Sequence, residues 1–189
     1  MKPIFSTLTE DEKWDLINLL RIMSTTYQSR LLTTESVLQF LVAPDITLRA
    51  PDGERTDIPK LRGTPIVLSI GDCKASDLAA GGMARADEVT REKKLPHVVV
   101  GGPGCPEIAG AFVPLHKESV FRALAIVNRD FNELFTNKVE DAHFLIDRSG
   151  FLRARFRHLA DDESARLLRR EVDKLAAEPL VEIPEGHFH

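Results

Sequence analysis

Cysteine is scarce: the chain of 189 residues has two, Cys73 and Cys105. Two cysteines cannot build the dense framework of a small secreted scaffold. They fit either a pair of inert thiols or a single bridge, and they leave the redox compartment open. Long apolar runs are also missing. No segment approaches the roughly 18 to 20 residues that span a bilayer, and the first residues lack the charged-then-apolar layout of a signal peptide. The chain as given therefore reads as soluble, with any export signal lying elsewhere. An excess of positive charge is absent as well. The net charge is −4, with acidic and basic residues interspersed, so no basic stripe can hold a phosphate backbone and nucleic acid is excluded as a partner. Gly101-Gly102-Pro103-Gly104 lacks the G-x-G-x-x-G spacing and the lysine-serine end of a phosphate loop, which excludes a nucleotide. No Cys-x-x-Cys-His occurs, so this chain attaches no haem of its own.

What is present is an ordinary globular composition, 43% hydrophobic, enough for one domain with a real core and an appendage. Thr9-Glu10-Asp11-Glu12 forms a capping box that starts a helix, with Trp14, Leu16, Ile17, Leu20 and Met23 on its apolar side. That face packs on the rest of the chain or pairs two chains; periodicity does not choose. Residues 24–41 carry a weaker helical pattern around Val37, Leu38 and Leu41. From Ala43 the texture changes. Ile46 to Arg49, the turn Pro51-Asp52-Gly53-Glu54, and Arg55 to Ile58 predict a short β-hairpin.

Pro65 to Ile70 is a buried parallel strand, Ser76 to Lys94 a helix interrupted by Gly81-Gly82, and His97 to Val100 a second apolar strand. Together these make one β-α-β unit with a right-handed crossover. Residues 106–136 carry short helical patterns, notably Ser119 to Phe135. Two strands, Phe144 to Ile146 and Phe151 to Phe156, then flank the turn Asp147-Arg148-Ser149-Gly150. A final helix is capped by Asp161 or Asp162, with Ala165, Leu168, Val172 and Leu175 at three- and four-residue spacing. On the second hairpin strand Arg153, Arg155 and Arg157 share one face, read as solvated or as a docking patch for an acidic partner.

A hairpin, β-α-β, a helical insertion and β-β-α is the order of an α/β thioredoxin-like fold with an N-terminal helical extension. Leu61-Arg62-Gly63 ahead of the strand, and Phe144-Leu145-Ile146-Asp147-Arg148-Ser149-Gly150, resemble signatures of the TlpA/ResA-like thioredoxin and peroxiredoxin branch. The resemblance implies a thioredoxin-like domain over residues 43–178, a helical extension over 1–42 and a flexible tail over 179–189. Leu8 to Arg21 is similar to the last helix of bacterial c-type cytochrome domains. With that helix and the His187-Phe188-His189 end, the chain resembles the terminal module of periplasmic proteins in which a copper resistance D-type membrane part and a cytochrome c part come first. This implies a piece of a longer protein: an accessory module of a periplasmic copper or redox system, with a cytochrome or membrane copper-handling partner. The alternatives are a thiol-disulfide oxidoreductase or peroxiredoxin-like enzyme using Cys73 with Cys105, and an interaction domain that docks on such a partner through the Trp14 helix.

Active thioredoxin relatives place Cys-x-x-Cys at the strand-to-helix junction, where the helix N-terminus lowers the first thiol's pKa and the second thiol resolves the mixed disulfide. Here the stretch is Cys73-Lys74-Ala75-Ser76, and Glu140-Asp141-Ala142-His143 stands where the family has a cis-proline. Ordinary exchange through adjacent cysteines is therefore not expected. A peroxidase would want Thr-x-x-Cys, which Ile70-Gly71-Asp72-Cys73 does not supply.

Three readings of Cys73 stay open: an inert thiol in a redox-dead scaffold, a redox couple with Cys105, or a thiolate ligand for a soft ion such as Cu(I). Sco copper chaperones give a precedent for the last, although their Cys-x-x-x-Cys is absent here. His143 is the ligand candidate nearest the central hairpin, its other reading being a polar residue at a strand start. His97, His116 and His158 are read as surface positions. His187 and His189 form an x-H-x-H terminus able to chelate Cu(II) or Ni(II), or left idle.

Overall fold

The computed structural model describes residues 43–74, 77–102, 104–117, 120, 141–156, 159 and 161–180. The Thr9 capping box, the Trp14 face, the Ser119 to Phe135 pattern, Arg157, His158, His187 and His189 lie wholly or largely outside them. In chain order the strands are β1 (Thr47–Arg49), β2 (Arg55–Asp57), β3 (Ile66–Gly71), β4 (His97–Gly101), β5 (Val113–Pro114), β6 (Ala142–Ile146) and β7 (Leu152–Phe156). The helices are α1 (Asp77–Lys93) and α2 (Asp162–Ala177). A four-stranded sheet runs β4-β3-β6-β7 and a three-stranded one β2-β1-β5. β3 pairs with β4 in parallel and with β6 antiparallel, and β6 pairs antiparallel with β7.

The apolar runs that predicted buried strands are covered on both faces, as a central strand with β-branched residues requires. Ile66, Leu68 and Ile70 of β3 face Val98, Val100, Phe144 and Ile146 in one core, which also takes Leu48 of the small sheet and Ile58 just after β2. Val67 and Leu145 turn to the other side, where Ala86 and Val89 of α1 and Ala165, Leu168, Val172 and Leu175 of α2 cover them. The α2 spacing therefore buries the four residues it predicted. Asp161 caps that helix, its carboxylate accepting from the Ser164 N–H at 2.8 Å.

The two stretches that carry the family resemblance interlock. Gly63 N–H donates to the Arg148 carbonyl (2.9 Å) and Arg148 Nε returns a bond to the Gly63 carbonyl (3.0 Å). A Cβ on Gly150 would lie 2.8 Å from Arg62 Nε, and Gly150 sits at φ +100°. Asp147 closes the turn, its Oδ1 accepting from the Ser149 and Phe151 amides at 2.9 Å each. These residues fasten the hairpin to the entry of β3.

Three expectations change. Val113–Pro114, inside the stretch read as helical, is a strand on β1. Beside it Phe112 bridges to Val98 in parallel, taking a bond from the Val99 N–H (2.9 Å) and giving one to the His97 carbonyl (2.8 Å). Gly81-Gly82 does not interrupt α1. A Cβ on Gly82 would stand 2.7 Å from His143 Nε2, so the glycine lets the helix approach the sheet, which outweighs its low helix propensity. Arg153 is not solvated. A register shift at Leu145/Ile146 pairs Ile146 with Leu152 and leaves Arg153 as the extra residue of a bulge. Its guanidinium there grips Asp147 (2.9 Å) and Glu178 (2.6 and 3.1 Å). No helix among the described residues is long and apolar enough to cross a membrane.

Candidate functional site

Parallel pairing of β3 with β4 sets Gly71 opposite Gly101, so the loops leaving both strands emerge side by side. The Gly102 N–H extends the ladder to the Gly71 carbonyl at 2.8 Å. Cys73 and Cys105, two and four residues past those strand ends, form a disulfide with their Cα atoms 4.8 Å apart, inside the range such a bond requires. The loops come this close because side chains are missing between them. A Cβ on Gly101 would meet the Cys105 Cβ at 3.0 Å, one on Gly102 the Asp72 Cα at 3.3 Å, and one on Gly104 the Lys74 Cγ at 3.0 Å. The glycines that fail as a phosphate loop therefore seat the disulfide, a role the sequence signalled only as glycines placed after a strand.

Both cysteines are half-buried, packed on Met83, Val99 and Ala111. The Cys73 N–H donates to Cys105 Sγ at 3.2 Å, and the Gly71 carbonyl oxygen lies 3.5 Å from the same sulfur. A cleft of about 470 Å³ opens against Cys105, with Val99, Ala111 and Val113 among its apolar walls and Arg49, Glu107 and Lys117 as its charged residues. Lys117 Nζ donates to the Gly101 carbonyl at 3.2 Å. Sequence reasoning missed Arg49 and Lys117, because nothing in their local context distinguishes them from other surface cations.

The histidines resolve differently. Ser69 Oγ lies 2.8 Å from His97 Nε2 and 2.9 Å from His143 Nδ1, which joins three side chains under α1. Ser69, His97 and His143 are 0%, 3% and 1% exposed. His97 is thus a core residue and not the surface position expected. Its place at a strand start gave no sign that α1 would cover it. His116 is exposed, as expected. Burial pulls the His97 pKa down to about 4 against the attraction of Asp87, whose carboxylate is 3.8 Å from Nδ1. That separation is too long for a hydrogen bond, and among the described residues Nδ1 has no hydrogen-bond partner. With His97 neutral and one hydroxyl proton to share, one imidazole accepts from Ser69 and the other donates to it.

A soft metal ion favours thiolate ligands, and in the disulfide both sulfurs are used by the S–S bond. His143 sits opposite Ser69, four residues before Cys73, and its Nδ1 faces the serine. Among the described residues, the donors of this disulfide form make no copper centre. Among the described residues no three His, Cys, Asp or Glu side chains converge as a metal cage.

No family model and no curated protein matches the chain. Solved structures resemble it. One is BsSco, a member of the Sco family of cytochrome c oxidase assembly proteins in which a disulfide switch is identified; it shares 9% identity at TM-score 0.53 over 75% of this chain and 96% of its own. Another is a SCO1/SenC family lipoprotein from Bacillus anthracis, with 13% identity at TM-score 0.50 over 74% of this chain and 97% of its own. Identity this low carries the fold and nothing finer. With the β4-β3-β6-β7 order, a disulfide beyond the ends of β3 and β4 and these likenesses together, the domain has the thioredoxin-like fold.

Proposed function

We propose that the chain is a redox module in which Cys73 and Cys105 form a reversible dithiol–disulfide couple, so that exchange proceeds without a Cys-x-x-Cys. One observation carries this reading: two half-buried cysteines, 32 residues apart, are bonded at the C-terminal ends of neighbouring parallel strands. The bridge sits on two glycine-thinned loops and keeps part of its surface in solvent, as a couple that must stay open to reagents requires. A disulfide persists in oxidising compartments, which supports a periplasm-facing accessory role beside a cytochrome or membrane partner. Equilibration with glutathione buffers of graded poise, read by thiol alkylation and mass, tests the couple. A single two-electron midpoint between the fully oxidised and fully reduced buffers is expected. Thiols that stay free under oxidant, or a bond that resists every buffer, would remove the reading.

A second reading takes copper as cargo of the reduced form, because the same two sulfurs then supply two thiolates to Cu(I). Copper(I) titration of the reduced chain, of Cys73→Ser and of a chain ending at Gly186 separates its parts. Loss of binding in Cys73→Ser supports the sulfur pair. Loss only in the shortened chain assigns the metal to His187 and His189, and no binding to any of them ends the copper reading.

A further inference from the structure

Resting on the couple just proposed, we infer that Cys105, and not the junction residue Cys73, is the sulfur that exchanges with substrate, and that its cleft selects thiols carrying a negative charge. Three features converge. The cleft opens against Cys105, and Cys73 is not on its wall. The Cys73 N–H donates to Cys105 Sγ at 3.2 Å, closer than the 3.5 Å to the Gly71 carbonyl. That donor favours negative charge on Cys105 in competition with the junction position of Cys73, and together with the cleft at its side it makes Cys105 the nucleophile of the reduced protein. Among the described residues the charges of the cleft are two cations, Arg49 and Lys117, against one carboxylate, Glu107. A cleft of this polarity concentrates anions, and about 470 Å³ admits a small organic thiol or one side chain of a peptide.

The exchange balances. A substrate thiolate attacks Cys105 Sγ, the new bond joins the substrate sulfur to Cys105, the Cys73–Cys105 bond breaks, and Cys73 leaves as a thiolate that takes a proton from water. A second substrate thiolate then attacks the substrate sulfur of the mixed disulfide, releasing the substrate disulfide and the Cys105 thiolate. Two thiols are oxidised by two electrons in total, and the protein disulfide is reduced. In the opposite direction the Cys105 thiolate opens a substrate disulfide and Cys73 resolves it. Cys73 is then the resolving cysteine, the reverse of the order in which a Cys-x-x-Cys site uses its first residue.

The test uses the oxidised full chain and three small thiols: 3-mercaptopropionate, 2-mercaptoethanol and cysteamine. The reaction is quenched with acid at early times, the freed thiol is blocked with N-ethylmaleimide at low pH, and peptides are mapped by mass. The substrate adduct is expected on Cys105 with the maleimide on Cys73; the converse pattern overturns the assignment while leaving the couple intact. Failure of every thiol to open the bond instead removes the couple, and this assignment with it. Alkylation by iodoacetamide against pH gives a second measure: Cys105 in Cys73→Ser should react at lower pH than Cys73 in Cys105→Ser, and equal or reversed profiles overturn the order. For selectivity, rates per thiolate at low salt should favour mercaptopropionate over cysteamine by about tenfold. Arg49→Glu with Lys117→Glu should reverse that preference; a preference that is absent or unmoved overturns the charge selection.

Discussion

Two groups of reactive side chains lie on or just beyond the same sheet, and they are built in opposite ways. Ser69, His97 and His143 join across the middle of β4-β3-β6 and are sealed by α1. Cys73 and Cys105 sit past the strand ends on loops and keep part of their surface in solvent. The serine–histidine set has the residue types of a hydrolytic centre and no access. The sulfur pair has access and few accompanying groups. Access to solvent therefore belongs to the loops, and the buried set acts through packing and proton balance.

Reduction should sharpen that contrast most. Opening a bond between residues 32 apart returns loop entropy to the unfolded chain worth about 4 kcal/mol in the chain-entropy description. Cys73→Ser should likewise abolish redox cycling, while dichroism and the midpoint in urea show a folded but weaker domain. The next effect belongs to the buried set. His97 in the folded chain has a pKa near 4, against 6.5 when unfolded, so the unfolded state takes a proton first as the pH falls. Stability is fully present above about pH 6.5 and falls towards pH 4, by about 3 kcal/mol in all. Urea unfolding at pH 7 and 4.5 should show the loss in the native chain and a smaller one in His97→Gln.

Adjacent glycines then give opposite signs. Gly82→Ala drives a methyl group against His143 Nε2, 2.7 Å away, and should cost about 2 kcal/mol. Gly81→Ala meets nothing within 4 Å and should stabilise by about 1 kcal/mol through helix propensity alone. Equal signs would show that the α1 contact with the sheet is loose. Smallest is Asp161→Ala, which removes the α2 cap and should lower the urea midpoint slightly wherever the redox state is held fixed.

Much of the fold was legible because its signals are local. Turn residues at Asp52-Gly53 and Asp147 to Gly150, apolar runs at 66–70 and 97–100, and the spacing of α2 each mark an element within a few residues. What was not legible depends on contact across the chain. Val113–Pro114 is a strand only because β1 accepts it. His97 is buried only because α1 crosses above it, and Gly82 is tolerated in a helix only because His143 lies beneath. The candidate site shows the same limit: each cysteine was visible with its strand end, but the pairing was one of three open readings. It depends on the parallel register of β3 with β4, a long-range fact no local window contains.

The borders of the four-stranded sheet have a consequence for assembly. Along β4 the outer backbone is already engaged by Phe112, through the Val99 and His97 main chain. Along β7 the bulge at Arg153 breaks the regular spacing of the backbone and sets charged residues beside it. Among the described residues a further strand finds no continuous template at either border, which guards the sheet against edge-to-edge aggregation while its sulfur end stays open to solvent.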